Sequence, residues 1–181
     1  MNIVDFTSLD YLLNGNSIQK TIYYELKRSE IFEKLSSYDP ILVGTYPIDI
    51  PIKSSDLDII LYANDLDKLN KDLNTFFYDF PFYRTEIISQ EDNTYLNCTF
   101  KLNSFTVELY AENTPTEKQY GYLHMVKEHE ILVYFGKVFR EEVIKLKKDG
   151  YKTEPAFAKL LGLNGNPYEA LLQYQIKKQG Y

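Results

Sequence analysis

Residues 41–61, ILVGTYPIDIPIKSSDLDIIL, constrain this chain more than any other stretch. An apolar run ends at Gly44-Thr45, and ten residues later Ser55-Asp56-Leu57-Asp58 opens a second apolar run. Asp56 and Asp58 alternate with Leu57 and Ile59, which is the period of a strand, so both point to one face. Two carboxylates are therefore held side by side at the start of a strand otherwise built for burial. That placement costs free energy unless a cation or hydrogen-bond donors compensate it. A hard divalent cation such as Mg²⁺, which takes oxygen ligands, suits the pair. An isolated Asp-x-Asp is as readily an exposed strand end or a helix cap. The upstream Gly-Thr shifts the balance: a strand-end glycine lets backbone N–H groups approach a phosphate, and a neighbouring hydroxyl adds a donor.

This pattern, Val43-Gly44-Thr45 followed by Ser55-Asp56-Leu57-Asp58-Ile59, resembles the DNA polymerase β-like nucleotidyltransferase superfamily. Members carry a third carboxylate on a later strand between apolar residues. Phe105-Thr106-Val107-Glu108-Leu109-Tyr110 fits, with Glu108 out of phase with its apolar neighbours. A resemblance over nearly the whole chain is to a bacterial family of unknown function with a nucleotidyltransferase-like core. It rests on PILVGTYPIDI, SSDLDII, VELY, PTEKQYGYLHM and LKKDGYKTEPAFAKLLGLNGNPYEALL. The superfamily resemblance implies that Gly44 and Thr45 hold a triphosphate, and that Asp56, Asp58 and Glu108 bind Mg²⁺ and perform catalysis. Ser55 and Lys53 are further phosphate candidates. Two departures stand out. Thr45 replaces the commoner Ser, and Tyr46-Pro47-Ile48-Asp49-Ile50-Pro51 replaces an Arg-Gly loop, leaving Lys53 as the only cation there.

At 181 residues the chain can bury one sizeable core, with or without a helical appendage. A formal net charge of −6 opposes wrapping nucleic acid by charge, which needs a basic face. A small-molecule or protein acceptor is thus expected, and a nucleic acid one is not. Cys98 is the lone cysteine, so no internal disulfide forms, and its strand-like surroundings predict a packed, inert thiol. The N-terminus lacks a basic region with a long apolar stretch, and no run reaches membrane-spanning length, so a cytoplasmic home is expected. The 17 tyrosines, with many Ile, Asn and Lys, suggest an AT-rich genome rather than an aromatic surface.

Periodicity predicts a short helix over 8–13 and a longer one over 17–36, broken by Asp39-Pro40. The Asp-x-Asp strand spans about 57–62. Asn64 then caps a helix to about 78, with Asp65 and Asp67 in its first turn. Strands follow over 82–89, 94–102 and 105–111, with turns at Glu91-Asp92-Asn93 and Asn103-Ser104. Helices are expected over about 117–133, 136–148, 154–161 and 167–178, the last with an Asn166 cap and Pro167 in its first turn. The fold class is α+β: a small mixed sheet with flanking helices as a nucleotidyltransferase-like core, residues 1–115, and a helical part, 116–181, packed on it.

His124 and His129 are five apart on a helix and do not share a face, so with Cys98 distant no zinc site is expected. His124 reads as a packing histidine. Lys145, Lys147, Lys148 and Lys152 read as a solvated helix end offsetting the dipole. The function expected is Mg²⁺-dependent transfer of a nucleoside monophosphate from a nucleoside triphosphate. The alternatives are a non-catalytic nucleotide-binding protein, motivated by the Tyr46–Pro51 loop, and an antitoxin-like interaction protein.

Overall fold

The computed structural model describes residues 4–90 and 93–176. Among them the chain forms five strands and six α-helices. It divides into two compact units, Met1–Pro47 with Asp56–Tyr122, and Ile48–Ser55 with Leu123–Tyr181.

The first unit carries the sheet: β1 (Ile41–Val43), β2 (Leu57–Tyr62), β3 (Arg84–Gln90), β4 (Asn93–Leu102) and β5 (Phe105–Glu112). The order is β1-β2-β5-β4-β3. Only β2 and β5 run parallel; the other neighbours are antiparallel. The α+β class and mixed sheet expected from the sequence are present. Leu57, Ile59 and Leu61 share the core face with Val107, Leu109 and Ala111 and with Leu96, Cys98 and Phe100. The alternate residues Asp58, Glu108 and Thr99 face the other way. The Glu91-Asp92 turn lies outside the described residues. Cys98 is 1% exposed, and burial pushes its thiol up to about 12.

Helices α1 (Ser17–Ser29), α2 (Ile31–Lys34) and α3 (Leu66–Phe77) supply the apolar side chains that meet the core face. The single helix expected over 17–36 is broken at Glu30, which adopts φ 56°. The cause is spacing. Ile22 and Leu26 are four apart, but Ile31 follows after five, which would rotate it off the buried stripe. The left-handed residue resets the phase, and Leu26 and Ile31 are both fully buried. The cap of α3 is Asp65, whose carboxylate accepts from the Lys68 N–H at 2.9 Å, and not Asn64. The helix expected over 8–13 is a 3-10 turn, Asp10–Asn14.

α4 (Tyr120–Lys148) starts at the last residues of the first unit and continues into the second. It is interrupted at Gly136, with φ 76° and ψ −160°, the first residue of the second helix expected there and just past the expected gap at 134–135. α5 (Thr153–Leu161) and α6 (Pro167–Gln173) follow, and the last two positions of the helix expected over 167–178 lie outside the described residues. The core of this unit includes Met125, Ile131, Leu132, Val143, Phe157 and Leu171. The segment 48–55 belongs to it. Ile48 and Ile50 are buried, Arg140 donates to the Ile48 and Asp49 carbonyls, and Lys147 Nζ donates to Ile50 O at 2.7 Å. Lys147 is thus no member of a solvated helix end: it is 6% exposed, whereas Lys145, Lys148 and Lys152 are exposed. Among the described residues no helix is long and apolar enough to cross a membrane.

Candidate active site

The strand register assembles the acidic residues. Asp58 on β2 is the direct partner of Glu108 on β5. Neighbouring strands lie about 5 Å apart, so the two side chains rise next to each other from the face opposite the core. Asp56 is one residue before β2 and two before Asp58, and is half-buried. On the other side of Asp58, its β1 partner is Val43, the residue before Gly44. Beyond Glu108 the same row continues through Thr99 on β4 to Arg84 on β3. One line across the sheet therefore reads strand-end glycine turn, Asp58, Glu108, Thr99, Arg84.

Gly44 is required twice over. Its φ of +77° is a conformation that L side chains rarely adopt. A Cβ built there would lie 2.2 Å from Asp58 Oδ2. The glycine turn thus packs its backbone directly on the Asp58 carboxylate, and Thr45 follows it. Of the remaining candidates, Ser55 closes a turn: its Oγ accepts from the Ile52 N–H and its own N–H donates to Ile52 O, each at 3.0 Å. Lys53 is exposed within that turn. Both belong to the 48–55 segment of the second unit.

Two residues of this region escape motif reading. Tyr46 is buried, its ring edge-on to Phe105, and its phenol is held above the usual range by burial and then by the charges of Asp56 and Asp58. Gln19 is 7% exposed and spends its amide on the turn, with Nε2 donating to Tyr46 O at 2.9 Å and Pro47 O at 3.0 Å. Its Oε1 accepts from the Asn16 N–H, the reciprocal half of a capping box. The sequence does carry a signal for it, the capping-box pattern Asn16-x-x-Gln19. Gln119 acts likewise beyond β5, donating to Leu61 O and Thr114 O.

Residues 24–174 match a protein-family model described as a domain of unknown function, DUF4269. The chain belongs to this family. No curated protein sequence matches the chain. Among solved structures, this DUF4269 chain is similar to one in the GLD-2/RNP-8 complex, with TM-score 0.52 and 15% identity over 85% of this chain and 63% of that one. It is similar to Cid1, described by its RNA terminal uridylyl transferase activity, with TM-score 0.53 and 8% identity over 77% of this chain and 45% of that one. A Cid1 poly(U) polymerase structure with MgGTP bound gives TM-score 0.53 and 8% identity, over 77% of this chain and 46% of that one. The DUF4269 chain spans less than two thirds of each. At these identities the likeness establishes the fold alone, a mixed α+β fold resembling nucleotidyltransferase polymerase-core folds.

Proposed function

We propose that this DUF4269 protein is a Mg²⁺-dependent nucleotidyltransferase that moves a nucleoside monophosphate from a nucleoside triphosphate to an acceptor hydroxyl. The observation that carries the reading is the register that sets Asp58 beside Glu108, with the Gly44 backbone packed on the Asp58 carboxylate. A set of carboxylate oxygens on the sheet face opposite the core fits a hard cation, and a glycine turn beside it offers backbone N–H groups that suit a phosphate. Asp56, Asp58 and Glu108 would hold Mg²⁺, which supplies charge neutralisation to the phosphates and acidifies a bound hydroxyl. Gly44 N–H and the Thr45 hydroxyl would orient the β- and γ-phosphates. Glu108, on the side of Asp58 away from the glycine turn, would accept the acceptor proton as the acceptor oxygen bonds to the α-phosphorus and pyrophosphate leaves.

The net charge of −6 favours a small-molecule or protein acceptor. The RNA terminal uridylyl transferase activity named for Cid1 favours an RNA 3′ end instead. The absence of a membrane-spanning helix among the described residues is consistent with a cytoplasmic setting. The test is calorimetric titration with each of the four ribonucleoside triphosphates, with and without Mg²⁺, followed by pyrophosphate release with an RNA oligonucleotide or the protein itself as acceptor. Mg²⁺-dependent binding with pyrophosphate release is expected. Binding without turnover on any acceptor would turn the reading to a non-catalytic nucleotide-binding protein. The absence of binding would turn it to an interaction protein of the same fold.

A further inference from the structure

The second unit contains a polar cluster in which none of the residues assigned above takes part. His124 and Glu128 are four apart on α4 and therefore rise from one face of it. Glu154 is the second residue of α5. One imidazole nitrogen and one oxygen from each carboxylate all lie within 4.8 Å of one another. His124 is 6% and Glu128 3% exposed, and Glu154 is half-buried. Two carboxylates this close repel, and burial removes the water that would screen them, so a proton or a positive charge must sit among them. Lys147 supplies one such charge. Its Nζ, however, donates to the Ile50 carbonyl at 2.7 Å. Two carboxylates against one ammonium leave a place among them for a proton or, in its stead, a metal cation. A second, independent feature points the same way. Among the described residues no hydrogen bond reaches the Glu128 carboxylate, although the residue is only 3% exposed. Its oxygen faces the space bordered by the imidazole and by Glu154.

We infer that His124, Glu128 and Glu154 form a binding site for a divalent transition-metal ion of the Zn²⁺ type, distinct in composition from the all-carboxylate set of the first unit. One nitrogen and two oxygens are a borderline donor set, suited to Zn²⁺, Mn²⁺ or Co²⁺ and poorly suited to Mg²⁺, which prefers oxygen. Three protein ligands leave a coordination position for water. Because the ligands come from α4 and α5, the ion ties these helices together, and its binding free energy adds to the stability of the second unit. The sequence reading missed the set because it sought a second His or Cys for His124, whereas the partners are two acids, one of them thirty residues on in the chain.

The experiment uses the full-length chain carrying Asp58→Asn and Glu108→Gln, so that the first unit's acids do not contribute, stripped with EDTA. Zn²⁺ and Mg²⁺ are each titrated alone by calorimetry and thermal melting, and Co²⁺ by visible absorption. The expected result is one equivalent of Zn²⁺ per chain, a raised melting temperature with Zn²⁺ and none with Mg²⁺, and a Co²⁺ band. Glu128→Gln and His124→Ala should each weaken Zn²⁺ binding more than tenfold, and His129→Ala should leave it unchanged. Should the two buried variants fail to fold, Glu154→Gln, half-exposed at a helix start, must weaken binding more than tenfold by itself. No Zn²⁺-dependent change, or equal affinity in wild type and the ligand variants, would overturn the site and leave Lys147 and a retained proton to compensate the two acids.

Discussion

Gly44→Ala tests the geometry on which the candidate active site depends. Two penalties act. Holding alanine at φ +77° costs about 1–2 kcal/mol, because Cβ crowds the following carbonyl. The new Cβ would also sit 2.2 Å from Asp58 Oδ2. Asp58 has a short side chain on a strand paired on both sides, so it escapes only by leaving its rotamer, at a cost of about 0.5–1.5 kcal/mol. The sum is about 1.5–3.5 kcal/mol. Gly162 is the internal control: its φ is +66° and nothing lies within 4 Å of its Cβ position, so Gly162→Ala meets the first penalty alone. The assay is urea unfolding followed by far-ultraviolet circular dichroism, run as a double-mutant cycle with Asp58→Ala. Removing the carboxylate should relieve the clash, so that Gly44→Ala costs about 1 kcal/mol less in that background. Binding of Mg²⁺ with a non-hydrolysable triphosphate should weaken more than tenfold in Gly44→Ala, since Asp58 is displaced. Equal costs for Gly44→Ala and Gly162→Ala, with no coupling to Asp58, would show that the glycine serves only its own turn.

Asp58→Asn keeps the shape that packs on Gly44, so stability without Mg²⁺ should hold or rise while Mg²⁺-dependent nucleotide binding is lost; calorimetry and melting curves read both, and a large stability loss would make Asp58 a structural acceptor. Thr45→Ser should be silent and Thr45→Val should weaken triphosphate binding by about 1–3 kcal/mol, the worth of a hydrogen bond to a charged group; equal affinities would reduce Gly44-Thr45 to a turn. Gln19→Leu leaves the Tyr46 and Pro47 carbonyls without their donor and should cost about 1–3 kcal/mol in urea unfolding; a neutral outcome would mean that water replaces the amide. Burial, and then Glu154, hold the Glu128 carboxyl well above its ordinary 4.5, with Lys147 pulling it down. The folded state thus keeps this proton to higher pH than the unfolded chain, and its stability is full below pH 4.5 and falls as pH rises above it. In EDTA, with His124, Glu154 and Lys147 unchanged, Glu128→Gln should therefore gain stability over wild type as pH rises from about 5 to 8; parallel stability curves would contradict this.

The sheet was legible because its signals are local. The strict alternation of Phe105 to Glu112 identified the face of Glu108, and the structure shows that alternation in burial. Short turns predicted the antiparallel β3-β4-β5 run. The parallel pairing of β2 with β5, which sets Asp58 beside Glu108, joins segments fifty residues apart and leaves no local trace. The break at Glu30 had a trace, the five-residue step from Leu26 to Ile31, which the broader periodicity concealed. Asn64 and Asp65 are equally good caps by residue type, and only backbone geometry chooses between them. Lys147 was misread because a lysine in a basic run resembles any solvated helix end. What buries it is a carbonyl ninety-seven residues away. Gln19 and Arg140 likewise work through main-chain oxygens, which are the same at every position and carry no sequence signature.

The placement of residues 48–55 in the second unit affects how the chain can be made and cut. That unit is written in two pieces of the gene, with most of the first unit between them. During synthesis Ile48 and Ile50 emerge long before Arg140 and Lys147, so two apolar side chains and three carbonyls wait for the helices that hold them. A fragment ending before α4 carries this stretch without its partners, and a fragment starting at α4 lacks two of its buried isoleucines. No single cut separates the units cleanly, and recombination that exchanges the C-terminal helices must bring a matching loop from between the Gly-Thr and Asp-x-Asp motifs. The helices and the spacer between the motifs are thus constrained to change together.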